Sequence, residues 1–189
     1  MVDTTNIIVL NGASSSGKTT LARELQTIFE EPYLRLGTDT VHSMLPAHFA
    51  ARENAHSERM VHNAMIGMHR CAATLADAGN NVVVDTVMLS RESVVECASA
   101  LERNRSFFIG LFCEDDELRR RAADRGKDMV SIALHQARHV HTHSLYDLKI
   151  NTEGKPPRIM AEQIKKLVRS RTIPEAFKRL SSQRAKGTK

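Results

Sequence analysis

The chain has 189 residues, of which 41% are hydrophobic and 26% are charged, and its formal net charge is +5. This length suffices for one domain with a sizeable core, and the composition is typical of a soluble globular protein. The longest apolar runs are strand-sized and exclude a membrane-spanning helix. Three widely spaced cysteines and the absence of a secretory signal pattern predict a cytoplasmic protein without a disulfide framework.

The positive charge is concentrated at the C-terminal end of the chain. Residues 169–189 carry a net charge of +6, whereas the residues before them carry −1. We therefore expect a domain over residues 1–170, followed by a basic, solvated tail over residues 171–189. Contact between this tail and a nucleic acid or an acidic partner is the alternative. Phe177 is the one aromatic residue among the basic ones, which argues against nucleic acid.

The predicted elements alternate between strands and helices. In chain order they are a strand over 6–10, a helix over 18–29, a strand over 33–36, a helix over 57–78, a strand over 82–85, a helix from the N-cap Ser90 to about 103, a strand over 106–113, helices over 115–123 and 131–141, a strand over 148–151 and a helix over 157–168. This alternation predicts an α/β fold with a parallel sheet covered on both faces.

The segment "NGASSSGKTTLA", which begins at Asn11, fits the pattern G-x-x-x-x-G-K-[ST]. Glycines at both ends of the loop let main-chain N–H groups converge on phosphate oxygens, and the helix that follows points its positive end at the same anion. In this pattern Lys18 contacts the β- and γ-phosphates, and the Thr19 hydroxyl contacts Mg²⁺. The predicted nucleotide-binding residues are Gly12, Ala13, Ser14, Ser15, Ser16, Gly17, Lys18, Thr19 and Thr20.

Two carboxylates lie at or just after the ends of predicted strands. Asp39, in "RLGTDT", comes just after the second strand, at the sheet edge where we expect the glycine loop. It could accept a proton from a substrate hydroxyl, and the alternative is that it caps a short helix. Asp85 ends the run "NVVVD" and is expected to share Mg²⁺ with Thr19, the alternative being a purely structural cap.

A basic segment, "ELRRRAADRGKD", contains further candidates. Arg121 and Arg125 are four residues apart and are expected to share a helix face. They could close over the nucleotide and neutralise charge on the transferring phosphoryl group. The alternative is a solvated helix whose arginines pair with neighbouring acidic residues.

The sequence resembles the chloramphenicol 3-O-phosphotransferase family of P-loop kinases over about residues 6–168. The matching pieces are "IIVLNGASSSGKTTLARELQ", "EPYLRLGTDT", "NVVVDTVML", "CEDDELRRRAADRGKD" and "QARHVHTHSLYDLKINT". The resemblance implies transfer of the γ-phosphate of ATP to a hydroxyl of a small molecule, with Asp39 as the base. It also implies catalytic roles for Lys18 and for the lid segment that holds Arg121 and Arg125. One departure is Thr86, which follows Asp85 where the family tends to have a second acid.

From these observations we expect a three-layer P-loop domain with strand order 2-3-1-4-5 and ATP and Mg²⁺ as its ligands. The segment over residues 42–60 should select the acceptor. A nucleotide, a sugar or a cell-wall precursor stays open as an alternative acceptor, and so does a homo-oligomer. A nucleotide-dependent protein that binds nucleic acid through the tail is the alternative from another class, which the near-neutral body disfavours.

Overall fold

The structure, a computed structural model, describes residues 5–46 and 55–182. Its strands are β1 (Asn6–Asn11), β2 (Tyr33–Gly37), β3 (Asn81–Thr86), β4 (Arg105–Phe112) and β5 (Leu148–Asn151). Its helices are α1 (Lys18–Ile28), α2 (Thr38–Ser43), α3 (Ala55–Asp77), α4 (Arg91–Leu101), α5 (Asp115–Ala123), α6 (Lys127–His139), α7 (Pro157–Arg169) and α8 (Ala176–Ser182).

The five strands form one parallel sheet in the order β2-β3-β1-β4-β5. This confirms the predicted fold class and strand order. Parallel strands need crossover helices, and those helices cover both faces of the sheet, which gives three layers.

Alternation along β1 supplies both halves of the core. Ile7 and Val9 are fully buried on the face covered by α3, α4 and α8. Ile8 and Leu10 are fully buried on the opposite face, which α1 and α7 cover. Because successive strand residues point to opposite faces, a continuous apolar run is what a strand buried on both sides requires. Among the described residues, no helix has both the length and the apolar character to cross a membrane.

Helix α6 begins earlier than the sequence indicated. We predicted a helix over 131–141, but α6 starts at Lys127, directly after Gly126. Gly126 has φ of +128°, a conformation that side-chain-bearing residues rarely adopt, so the chain turns sharply between α5 and α6. The glycine marks a turn between two helices rather than a longer loop.

The prediction of a solvated C-terminal end is wrong for Ala176–Ser182. These residues form α8, which packs on α4 and β4. Phe177 is buried, and its ring stacks on Phe108 with the ring centroids 4.7 Å apart. Seven residues are too few for a helical period to stand out against the basic composition. Residues 183–189 lie outside the described residues.

The Asp147 carboxylate attaches α8 to the sheet. Its Oδ2 atom accepts the main-chain N–H of Phe108 at 2.8 Å, and its Oδ1 atom accepts those of Glu175 at 2.9 Å and Ala176 at 3.1 Å. One side chain therefore satisfies a β4 donor and two donors at the start of α8.

We expect Asp147→Ala to lower the free energy of unfolding by about 2 kcal/mol, because it leaves two partly buried donors and one exposed donor without their acceptor. Urea denaturation measures the change. Glu102→Ala, at an exposed position beyond the end of α4, is the control and should change the stability little. Equal effects of the two substitutions would contradict the attachment role of Asp147.

Candidate active site

The strand register brings three chain segments to one edge of the sheet. Asp85 on β3 lies opposite Leu10 on β1 and opposite Gly37 on β2. The glycine loop begins at Gly12, directly after β1 ends at Asn11, and α2 starts directly after Gly37. The loop, Asp85 and the start of α2 therefore meet at the carboxyl ends of the strands, which is where open parallel sheets bind ligands.

The loop between β1 and α1 has the tight backbone that its sequence predicts. Gly17 has φ of +94°, Ser15 has φ of +64°, and the Ser16 N–H donates to the Ala13 carbonyl at 3.2 Å. A Cβ atom on Gly12 would lie 2.7 Å from the Leu111 carbonyl oxygen, so any larger residue would collide with β4. Both glycines of the pattern are thus required by the backbone itself.

A cavity of about 1020 Å³ opens above this edge. Its volume is at the upper end of ordinary ligand sites, which are roughly 300–1,000 Å³. Its walls come from the glycine loop, α2, α3, the connection after β3, α5, α6 and the connection from β5 to α7. The polar and charged residues that line it include Ser14, Ser15, Lys18, Thr19, Asp39, Asp85, Arg121, Arg125, Gln136 and Thr152.

The predicted nucleotide-binding residues divide into two groups. Those that line the large cavity are Ser14, Ser15, Gly17, Lys18, Thr19 and Thr20. Ala13 and Ser16 instead line a separate cavity of about 100 Å³ on the other side of the loop, and Gly12 packs against β4. Side-chain contact with a ligand in the large cavity is therefore available to the first group only.

Lys18 lies at the centre of the loop and is almost completely buried. Its side chain is 7% exposed, and its Nζ atom donates to the Ala13 carbonyl at 2.8 Å. The pKa of Lys18 is lowered from 10.5 to about 8, mainly by burial and in addition by the positive charge of Arg125. The carboxylates of Asp85 and Asp39 act in the opposite direction but do not compensate. A buried ammonium of this kind gains from an incoming anion.

Thr19 and Asp85 form a ready pair of oxygen ligands. The Thr19 hydroxyl donates to Asp85 Oδ2 at 2.5 Å, and Asp85 is 5% exposed. Asp85 accepts this side-chain bond and no helix-capping one among the described residues. Hard cations prefer such oxygens, and Mg²⁺ commonly uses one or two protein groups together with substrate phosphates and water. Among the described residues, no group of three or more His, Cys, Asp or Glu side chains is arranged to hold a metal ion. The Thr19 and Asp85 oxygens fit Mg²⁺ in the shared manner.

Asp39 lies in the first turn of α2, and its side chain lines the cavity while remaining exposed. The alternative that Asp39 caps this helix is wrong, because Gly37 is the N-cap and no side chain caps the helix. Its carboxylate is close enough to Lys18 to influence the pKa of the ammonium group. Asp39 thus offers a free carboxylate to whatever the cavity binds.

The two predicted arginines both line the cavity, but they do not share a helix face. Helix α5 ends at Ala123, so Arg125 follows the helix instead of continuing it. Arg121 donates to Glu117 at 2.7 Å and to the hydroxyl and carbonyl of Thr152 at 3.2 and 3.1 Å. Arg125 reaches the Ser15 hydroxyl at 3.5 Å and is exposed. Arg121 is fixed at one wall, whereas Arg125 is available to a ligand.

Two polar residues of the cavity wall that hydrogen-bond to predicted site residues do not stand out in the sequence. The side chain of Gln136 on α6 accepts the Ser14 N–H at 2.7 Å, and Thr152 after β5 accepts Arg121. Neither belongs to a phosphate-binding pattern. The available signal was that both lie in "QARHVHTHSLYDLKINT", a piece that carries the family resemblance.

Comparison with known proteins identifies relatives at the level of sequence. Residues 5–169 match a family described as chloramphenicol phosphotransferase-like proteins. Two Mycobacterium tuberculosis proteins, named "Putative O-phosphotransferase MT2714" and "Putative O-phosphotransferase Rv2636", are each 27% identical to this chain over 195 residues. The alignment covers 92% of this chain and 87% of each relative.

Solved structures share the fold at low sequence identity. The Mycobacterium tuberculosis APS kinase CysC, in complex with AMPPNP and APS, superposes with a TM-score of 0.70 at 14% identity, over 88% of this chain and 99% of that one. The shikimate kinase of Acinetobacter baumannii, in complex with shikimate, gives 0.55 at 16% identity, over 88% and 94%. The tunicamycin resistance protein of Deinococcus radiodurans gives 0.64 at 17% identity, over 90% and 98%.

These structural likenesses show a common P-loop kinase fold, and the family match spans most of the chain. The resemblance found in the sequence is confirmed. The chain belongs to the chloramphenicol phosphotransferase-like family and is a phosphotransferase built on the fold of the small P-loop kinases.

Proposed function

We propose that this protein is a kinase that transfers the γ-phosphate of ATP to a hydroxyl of a small molecule. The observation that carries the proposal is that one cavity is lined both by Lys18 of the glycine loop and by the free carboxylate of Asp39. An anion site and a proton acceptor in one cavity are the two parts that phosphoryl transfer to an alcohol requires.

The triphosphate would bind at the glycine loop. Main-chain amides of the loop and the N-terminal end of α1 attract its negative charge. Lys18 would leave the Ala13 carbonyl and bind a phosphate oxygen, which supports its buried charge better than a neutral carbonyl does. Thr19 and Asp85 would hold Mg²⁺, which when bound neutralises phosphate charge and orients the phosphates.

Asp39 would act as the base. As the acceptor oxygen forms its bond to the γ-phosphorus, the bond from that phosphorus to the β–γ bridging oxygen breaks and ADP leaves. The hydroxyl proton passes to the Asp39 carboxylate. Arg125, which is exposed and borders the loop, would approach the transferring group and balance its charge, while Arg121 stays on its Thr152 contact and shapes the wall.

The acceptor side of the cavity favours a hydroxylated molecule with apolar surface. Beyond Asp39 and His42, its described wall is made of the apolar residues Val61, Met65, Val87 and Leu89. The phosphate of a nucleoside monophosphate would need cationic partners, which this part of the described wall does not supply. Residues 47–54 of the predicted acceptor-selecting segment lie outside the described residues.

The function is tested by incubating the protein with ATP, Mg²⁺ and a panel of hydroxylated compounds that includes chloramphenicol, sugars and nucleosides. We expect mass spectrometry to detect one acceptor that gains a single phosphate. Lys18→Ala is the matched control: it should abolish the product while the circular dichroism spectrum stays unchanged. ATP hydrolysis without any phosphorylated acceptor would contradict the proposal.

Asp39→Asn tests the base. Asparagine has nearly the same shape but cannot take the proton, so we expect kcat to fall by about 100-fold or more. Nucleotide affinity, measured by calorimetry, should be unchanged, because Asp39 lies outside the glycine loop. Near-normal turnover by this variant would remove Asp39 from the mechanism.

The lowered pKa of Lys18 predicts that nucleotide binding takes up a proton at alkaline pH. The free protein has a Lys18 pKa of about 8, and bound phosphate favours the charged ammonium. Affinity for MgADP should therefore fall as the pH rises through that value. Calorimetry at about pH 9 in buffers of different ionisation enthalpy measures the uptake, which should be much smaller at about pH 7.

The control for this measurement is Lys18→Arg, whose guanidinium stays protonated throughout. If it binds MgADP, it should bind without proton uptake at either pH. Binding by the wild-type protein without uptake at alkaline pH would show that Lys18 is already charged, or that it does not meet the phosphates.

A further inference from the structure

One peptide group in the glycine loop is held at both of its ends. The carbonyl of Ala13 accepts from Lys18 Nζ at 2.8 Å, and the N–H of Ser14, in the same peptide group, donates to Gln136 Oε1 at 2.7 Å. The carbonyl and N–H of a trans peptide point in opposite directions. Lys18 and Gln136 therefore hydrogen-bond to the Ala13–Ser14 peptide group from opposite sides.

The orientation of the Gln136 carboxamide follows from this contact. An N–H group can pair only with the oxygen of a carboxamide, so Oε1 must face Ser14. Gln136 makes no other side-chain hydrogen bond within the described residues, and it also lines the large cavity. Its carboxamide therefore contacts the loop and not its own helix.

A second contact joins the residue after α6 to the strand that enters the same loop. The side-chain amide of Asn11, the fully buried last residue of β1, donates to the carbonyl of Val140, which directly follows α6, at 3.0 Å. The Asn11 Oδ1 atom accepts the Met88 N–H at 2.9 Å. The C-terminal end of α6 is thus bonded on both sides of the start of the loop.

The carbonyl and the N–H of the Ala13–Ser14 peptide group change differently when a nucleotide binds. If Lys18 turns to a phosphate, the Ala13 carbonyl keeps only the longer main-chain bond from the Ser16 N–H at 3.2 Å among the described residues, and Gln136 becomes the remaining side chain that holds this peptide. A peptide free to rotate could turn its carbonyl towards the phosphates, where the oxygen would repel them. A fixed N–H contact prevents that rotation.

We propose that Gln136 is a positioning residue for phosphoryl transfer, an inference that rests on the proposed function. Gln136 fixes the Ala13–Ser14 peptide group so that the main-chain amides after this peptide face the triphosphate. It acts through the loop and needs no contact with the nucleotide itself. Helix α6 and the first half of the loop then behave as one unit.

The test replaces Gln136 by Met, which is similar in length but has no strong acceptor. Calorimetry with AMPPNP and Mg²⁺ and amide hydrogen exchange at Ser14 by ¹⁵N NMR are the two readouts. We expect affinity about tenfold weaker and Ser14 exchange at least about tenfold faster, since one hydrogen bond is lost. The exposed neighbour His135→Ala is the control and should leave both readouts unchanged.

Gln136→Glu distinguishes a role of the side chain as hydrogen-bond acceptor from a role in packing alone. Its carboxylate keeps an oxygen for the Ser14 N–H, so protection of this amide should return to the wild-type level. A packing role would make Met and Glu equivalent at Ser14, and that result would overturn the proposal.

The remaining outcomes are also decisive. Unchanged AMPPNP affinity in Gln136→Met, with normal binding by the wild type, would overturn the positioning role alone. If the wild-type protein itself fails to bind AMPPNP, the proposed function falls and this inference falls with it.

Discussion

The parallel register of β1, β3 and β2 is the constraint on which the rest of the site depends. It sets Asp85 between Leu10 and Gly37, so the glycine loop and α2 leave the sheet on either side of one buried carboxylate. A shift by one residue would turn Asp85 to the opposite face of the sheet. Thr19 would then lose its partner, and Asp39 would no longer border the loop's cavity.

In the ligand-free site, the buried positive charge of Lys18 has an electrostatic cost that a bound anion would reduce. Lys18 is desolvated, its hydrogen bond within the described residues goes to the neutral Ala13 carbonyl, and its pKa is lowered as a result of the burial. Positive charge at Arg125 adds to that cost. Because the groups are already assembled, an anion that enters meets donors that need little rearrangement, which is how preorganised sites stabilise charge.

Local patterns predicted much of this arrangement. The loop pattern identified Lys18 and Thr19, and the acidic ends of apolar runs identified Asp39 and Asp85, because these signals are contiguous in sequence. Gln136 and Thr152 escaped prediction since their partners are 122 and 31 residues away. Helix α8 escaped because its stability comes from Phe108 and Asp147, which are distant in sequence, and not from its own periodicity.

The packing of α8 also has a consequence for how the protein is made. The central strand β1 is synthesised first, but its neighbour β4 follows about a hundred residues later. Helices α3 and α4 cover part of the face that holds Phe108, but the contact between Phe108 and Phe177 forms only after α8 has emerged. Native contacts in this domain are therefore strongly non-local, which slows folding. A nascent chain stalled before residue 176 would leave Phe108 without this cover, so α8 is the element that completes the burial of this part of the sheet.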